Sequence, residues 1–208
     1  PLVMYMPSQR IRVKKGKSLG KIYDPYFNRS YKHFCSHQHT PNKPQASGFD
    51  CGVLNENILY LAHPVFSIYR GWGAVPYRQY ITRAIELVLG KRRVTAELPT
   101  TARLTLTEQK SRKRMVLHLL YANTINRGGS VEMEFQGGTY HGRGVEVVED
   151  MLPLKDVKVS VMVKNPSQVK RVVLEPQGRQ IPFSVAVGGI AFMVDEFSCH
   201  QMVSINMK

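Results

Sequence analysis

The chain is poor in the residues that would place it quickly. Cysteine occurs three times in 208 residues, at Cys35, Cys51 and Cys199. That is too few and too scattered for a disulfide framework, so reduced thiols are expected, which favours a cytoplasmic setting and leaves the compartment open. No apolar run approaches the roughly 18 residues of a helical membrane span, so no membrane partner is expected. Pro1-Leu2-Val3-Met4 carries no basic segment ahead of an apolar one, unlike a signal peptide, and a start at Pro1 reads as a trimmed or internal fragment. The phosphate loop, the dinucleotide fingerprint and the Gly-x-Ser-x-Gly elbow are all missing. Acidic residues are scarce as well: 15 against 29 lysines and arginines, a net charge of +14. A basic balance attracts phosphate, but the cations sit in small clusters at residues 10–17, 91–93 and 110–114. None of the helix-turn-helix, zinc-finger or RNA-recognition signatures accompanies them. Nucleic acid is therefore not the expected partner.

What is there is an ordinary globular composition, 43% apolar and 21% charged, whose pattern changes sharply near residue 92. Two parts are expected, 1–92 and 93–208. Residues 1–23 read as two or three short strands around a basic turn at 14–20. Ile58-Leu59-Tyr60-Leu61-Ala62 is a continuous apolar run, the pattern of a strand buried on both faces in an α/β sheet. After the Gly71-Trp72-Gly73 turn, Pro76 suits a first helical position, and Tyr77, Ile81, Ala84, Ile85 and Val88 mark one helical face that Gly90 closes. Residues 58–90 thus read as strand, connecting loop and helix. Beyond residue 93 no helix is expected. Apolar or alternating segments recur at 102–107, 115–121, 145–148, 157–163, 171–174, 183–187, 190–194 and 202–207, separated by turns such as Asn165-Pro166-Ser167 and Gly188-Gly189. That spacing predicts an antiparallel β-sandwich, with the glycine-rich residues 127–144 as an excursion from one edge.

The most concentrated chemistry lies in residues 24–41, which hold three of the seven histidines and four aromatics in eighteen positions. With neither a helical nor a strand period, the stretch reads as a long ordered loop, the kind that tends to carry function. His33, Cys35, His37 and His39 alternate, so an extended backbone would bring them to one side as candidate zinc ligands. Established zinc sites space two ligand pairs by a structured span, and hydrogen bonding within the loop is the simpler expectation; no cofactor is expected. His63, at a strand end ahead of Pro64, is a site candidate by position. Asp24 and Asp50 flank the loop without an acidic partner, and Glu146, Glu149 and Asp150 read as an exposed strand face. No catalytic constellation emerges, and the chain is not expected to catalyse a reaction alone.

Three stretches together carry a resemblance. They are Asp24-Pro25-Tyr26-Phe27-Asn28-Arg29 with His33-Phe34-Cys35-Ser36-His37-Gln38-His39; Ala62-His63-Pro64-Val65-Phe66-Ser67 with the helix ending at Leu89; and Leu117-His118-Leu119-Leu120-Tyr121 with Val145-Glu146-Val147-Val148-Glu149-Asp150-Met151-Leu152-Pro153-Leu154. The combination resembles the C-terminal part of glycoside hydrolases carrying a β-galactosidase-type trimerisation domain. The resemblance implies that residues 1–92 close an amidotransferase-like (flavodoxin-type) α/β domain and that 93–208 form the β-sandwich. It implies that the catalytic barrel belongs to the parent chain, that the α/β part forms a homo-oligomer, and that carbohydrate is the ligand. By that analogy Asn28, Arg29, His33, His37, His39, His63 and Trp72 would line a sugar site. The competing readings are a free-standing basic module for nucleic acid or acidic polysaccharide, and a small metal enzyme built on the histidine loop.

Overall fold

The computed structural model describes residues 2–34, 40–128, 131–135, 138–142 and 145–208, with backbone alone for 131–135 and 138–142. The chain divides into two compact units, Pro1–Lys91 and Arg92–Lys208.

In the first unit β1 (Lys17–Ser18), β2 (Gly52–Asn55) and β3 (Ile58–Leu61) form an antiparallel sheet in that order. Helices α1 (Val65–Trp72) and α2 (Val75–Leu89) follow. Here the sequence reading needs two corrections. The apolar run at β3 is not buried on both faces: Ile58 is 65% and Tyr60 45% exposed, because the strand pairs with β2 alone and its alternate side chains face outward. The expected connecting loop is largely α1, whose Val65 and Ile68 are fully buried. Gly73, read as part of a turn, is the left-handed cap of that helix (φ 63°), its N–H bonded to the Tyr69 carbonyl. Helix α2 begins where Pro76 places it and buries Tyr77, Ile81 and Ala84.

Asp50 ties the early segments together. It is buried, its backbone N–H donates to the Ile11 carbonyl (2.9 Å), and isolated bridges join it to Ile11 and Lys21. Its carboxylate accepts from Lys21 Nζ (2.5 Å), Ser18 Oγ (2.7 Å) and the Val13 N–H (2.9 Å). Those bonds, the Lys21 bond foremost, hold its pKa down at about 2.

The second unit packs two antiparallel sheets face to face. One runs β14 (Phe183–Ala186), β15 (Gly189–Phe197), β11 (Leu154–Met162), β4 (Val94–Ala96); the other runs β13 (Arg179–Ile181), β12 (Val169–Glu175), β16 (Cys199–Met207), β6 (Arg114–Tyr121), β5 (Arg103–Gln109). Alternation builds the core directly: Val157, Val159 and Val161 of β11 point in, while Lys158 and Ser160 point out. Leu117 and Leu119 of β6 and Val203 and Ile205 of β16 join the same buried cluster. The second unit is thus mostly antiparallel sheet, as a β-sandwich requires, and no α-helix occurs among its described residues. Between β6 and β11 two further pairs form: β7 (Ile125–Arg127) with β10 (Val145–Val147), and β8 (Val131–Phe135) with β9 (Gly138–Gly142).

Candidate functional site: the aromatic loop of the first unit

The loop begins as a zipped neck. The Tyr26 N–H donates to the Pro41 carbonyl (3.1 Å) and the Lys43 N–H to the Asp24 carbonyl (2.9 Å), with a bridge between Pro25 and Asn42. Arg10 clamps the root, reaching both oxygens of Asp24 at 3.1 and 3.4 Å. Further out Ser30 and His33 close a tight turn through reciprocal backbone bonds of 3.0 and 3.1 Å. The Ser30 hydroxyl also accepts from the N–H groups of Lys32 and His33. Serine suits this place because its short side chain bonds the backbone two and three residues on.

The turn carries rings outward. Tyr31 is 91% exposed, and Tyr26 and Phe34 are more than half exposed. The Arg29 guanidinium lies 5.3 Å from the Phe34 ring centre, and Lys32 Nζ 5.5 Å from that of Tyr31. The half-buried Phe27 ring meets the His33 imidazole at 5.7 Å. Exposed aromatic faces beside Arg, Lys, His and the exposed Asn28 offer apolar platforms with polar donors at their rims.

The residues singled out from sequence therefore separate. Asn28, Arg29 and His33 share this loop. Cys35, His37 and His39 lie outside the described residues, and with them the proposed metal set; among the described residues no group of three metal-ligating side chains assembles. His63 instead bonds Ser8 Oγ through Nδ1 at 2.5 Å, and burial pushes its pKa down, towards the neutral ring. Trp72, at the end of α1, stacks on Tyr5 with centroids 5.6 Å apart. Both contacts involve residues 2–9, whose Val3 carbonyl also accepts from Tyr77 Oη.

Four of the five acidic groups singled out from sequence are occupied structurally, Asp150 being the exception among the described residues. Asp24 holds Arg10, Asp50 holds the sheet, and Glu146 accepts from Thr124 Oγ1 (2.6 Å). Glu149 pairs with Arg127, which draws its pKa down. In the second unit, sequence reasoning missed a cross-strand pair, His118 and His200, whose Nδ1 and Nε2 lie 3.0 Å apart. The rings are near-parallel (11°) with centroids 5.2 Å apart, close to the N···N distance plus two ring radii. They meet end to end through an N–H···N bond, in which the acceptor ring must be neutral. An open groove of about 710 Å³ also lies over Lys158 and Ser160, rimmed by Glu97, Phe183 and Met193.

No family model matches the chain, and no curated protein does. Among solved structures it is similar to the α-L-fucosidase isoenzyme 2 of Paenibacillus thiaminolyticus, with a TM-score of 0.82 and 34% identity, over 99% of this chain and 29% of that one. The chain thus spans less than a third of the fucosidase's length, and is related along nearly all of its own length to a piece of a glycoside hydrolase.

Proposed function

We propose that this chain is the non-catalytic accessory region of a larger glycoside hydrolase of the fucosidase or β-galactosidase type, and that it presents its aromatic loop to the saccharide. The observation that carries the reading is the likeness to the fucosidase, which takes in nearly all of this chain and a minor part of that one. The acids singled out from sequence support it: of those five, Asp24, Asp50, Glu146 and Glu149 each serve a structural partner among the described residues, which leaves Asp150 alone, whereas glycoside hydrolysis needs a pair of carboxyl groups flanking the bond. In this reading a catalytic barrel elsewhere in the parent chain supplies that pair, and residues 1–92 close an amidotransferase-like α/β trimerisation domain.

Within the loop Tyr26, Tyr31 and Phe34 stack on sugar rings, while Asn28, Arg29 and His33 hydrogen-bond hydroxyl groups. His63 and Trp72 act one step back, fixing residues 2–9 through Ser8 and Tyr5. Titrating the full chain with L-fucose- and galactose-containing oligosaccharides tests this through Tyr31→Ala and Phe34→Ala. Each is expected to weaken binding about two- to tenfold, the scale of one aromatic contact. Unchanged affinity in both would remove the loop from the saccharide site.

The same reading places a homo-oligomer contact in the first unit. Phe66, Trp72 and Leu89 leave the helices more than half exposed, and uncovered apolar side chains in such number mark contact surfaces. Phe66→Ala is expected to shift sedimentation of the full chain towards the monomer while leaving its unfolding midpoint in place; an unshifted sedimentation profile would count against the contact.

A further inference from the structure

The strongest unassigned feature is the basic segment that leads into the first unit's sheet. Residues 10–13 are pinned to Asp50 by the Ile11 carbonyl and the Val13 N–H, both at 2.9 Å. Arg10 and Arg12, two residues apart on an extended segment, therefore emerge on one side. Both guanidinium groups lie against the Phe49 ring, 4.9 and 4.8 Å from its centre.

The two arginines differ in what else they hold. Arg10 is neutralised by Asp24. Among the described residues Arg12 has no carboxylate partner, nor have Lys14 and Lys15 in the turn that follows, nor Lys17 where β1 begins. That turn is fixed as well: Gly16 takes φ +95°, and a Cβ there would stand 2.6 Å from the Leu54 carbonyl oxygen. The acidic residues of the first unit are Asp24, Asp50, Glu56 and Glu86, and all but Glu56 are already engaged in ion pairs. Glu56 follows Asn55, against which Gly16 packs, in the turn between β2 and β3, so its single charge offsets the positive field over residues 12–17 only in part.

We propose that Arg12, braced on Phe49, together with Lys14, Lys15 and Lys17 forms a binding site for the anionic substituents, sulfate or carboxylate, of an acidic saccharide. A guanidinium presents a planar fork of donors that matches either group. The Phe49 face restricts Arg12 before any ligand arrives, which lowers the ordering cost of binding. The Arg10–Asp24 pair ties this site to the root of the aromatic loop, so one chain could run from charged contacts to ring contacts. The saccharide class rests on the proposed function; the anion site itself rests on the geometry of Arg12, Phe49 and the turn.

The test titrates the full chain with dextran, dextran sulfate, polygalacturonate and polyuridylate RNA at fixed ionic strength. At least one acidic polysaccharide is expected to bind roughly tenfold or more tightly than dextran, the scale of a charge-assisted contact set. Which of the two does so identifies sulfate or carboxylate as the recognised group. Combined Arg12→Ala, Lys14→Ala and Lys15→Ala is expected to abolish that excess with no shift in the thermal unfolding midpoint. Phe49→Leu, which keeps every charge, is expected to reduce it several-fold. Removing Lys110, Arg112 and Lys113 of the second unit in the same way is expected to leave it intact. Equal binding of acidic and neutral chains would overturn the proposal, as would equal loss from both triple variants or tighter binding of the RNA than of either acidic polysaccharide. Binding of an acidic polysaccharide without any binding of the L-fucose- and galactose-containing oligosaccharides would uphold the anion site and remove the loop reading instead.

Discussion

Leu117→Ala is expected to destabilise the β-sandwich by about 2–5 kcal/mol, the cost of emptying a leucine-sized volume in a packed core. Leu117 is fully buried at the middle of β6, opposite Val203 of β16 and Leu106 of β5. It belongs to the cluster that both sheets share, so no solvent can enter to replace its contacts. Leu120, on the same strand, is 37% exposed, and Leu120→Ala is expected to cost less than about 1 kcal/mol. Urea unfolding of the two variants checks the strand register, because a shift of one residue would exchange their ranks. Similar losses from both would contradict the packing described.

Loss of the Asp50 carboxylate is expected to open the first unit's sheet. Asp50→Ala would leave the Val13 N–H without its acceptor and the Ser18 hydroxyl with the Gly20 carbonyl alone, and a part-buried donor without a partner is costly. Hydrogen exchange should then show the Val13 amide, protected in the native chain, exchanging at the rate of an open amide. The native chain carries the same dependence into acid. Asp50's pKa lies at about 2, below the ordinary 3.8. Its charged form therefore contributes fully above about pH 4, and that contribution is lost as the pH falls through about 2. Asp50→Asn should remove this segment of the acid response while lowering stability at neutral pH. An unchanged exchange rate at Val13 in Asp50→Ala would show that the carboxylate is not the organising group.

Local patterns in the sequence were the ones that could be read. Helix α2 was legible because Pro76 and the 3-4 spacing of Tyr77, Ile81 and Ala84 lie within a few residues of one another. The sandwich strands were legible where inward and outward positions differ in polarity, as in Val157, Lys158 and Val159. Strand β3 misled because its outward residues, Ile58 and Tyr60, are themselves apolar, so composition could not reveal that they are uncovered. Helix α1 was hidden by Gly71 and Gly73, which read as a turn although one continues the helix and the other caps it. The loop could be picked out by composition, but not its neck or its clamp. Arg10 meets Asp24 across fourteen positions, and Lys21 meets Asp50 across twenty-nine. His118 meets His200 across eighty-two. Such pairs are set by tertiary packing, and for His118 and His200 by the pairing of β6 with β16, and leave no periodic trace in the chain. Asp50 showed this most plainly: a lone acid without an acidic partner in sequence proved to be the residue on which three segments converge.

If these residues serve a larger glycoside hydrolase, as proposed, they are made as part of a longer chain. The mass of the native polypeptide in its source cells, read by immunoblot with antibodies raised against this chain, decides between the two cases. A band several-fold heavier than the 23.6 kDa of these residues is the predicted result, and the catalytic carboxylates would then be sought in the added length. A band at 23.6 kDa would contradict the claim, and would leave the aromatic loop and the basic turn to account for the function alone.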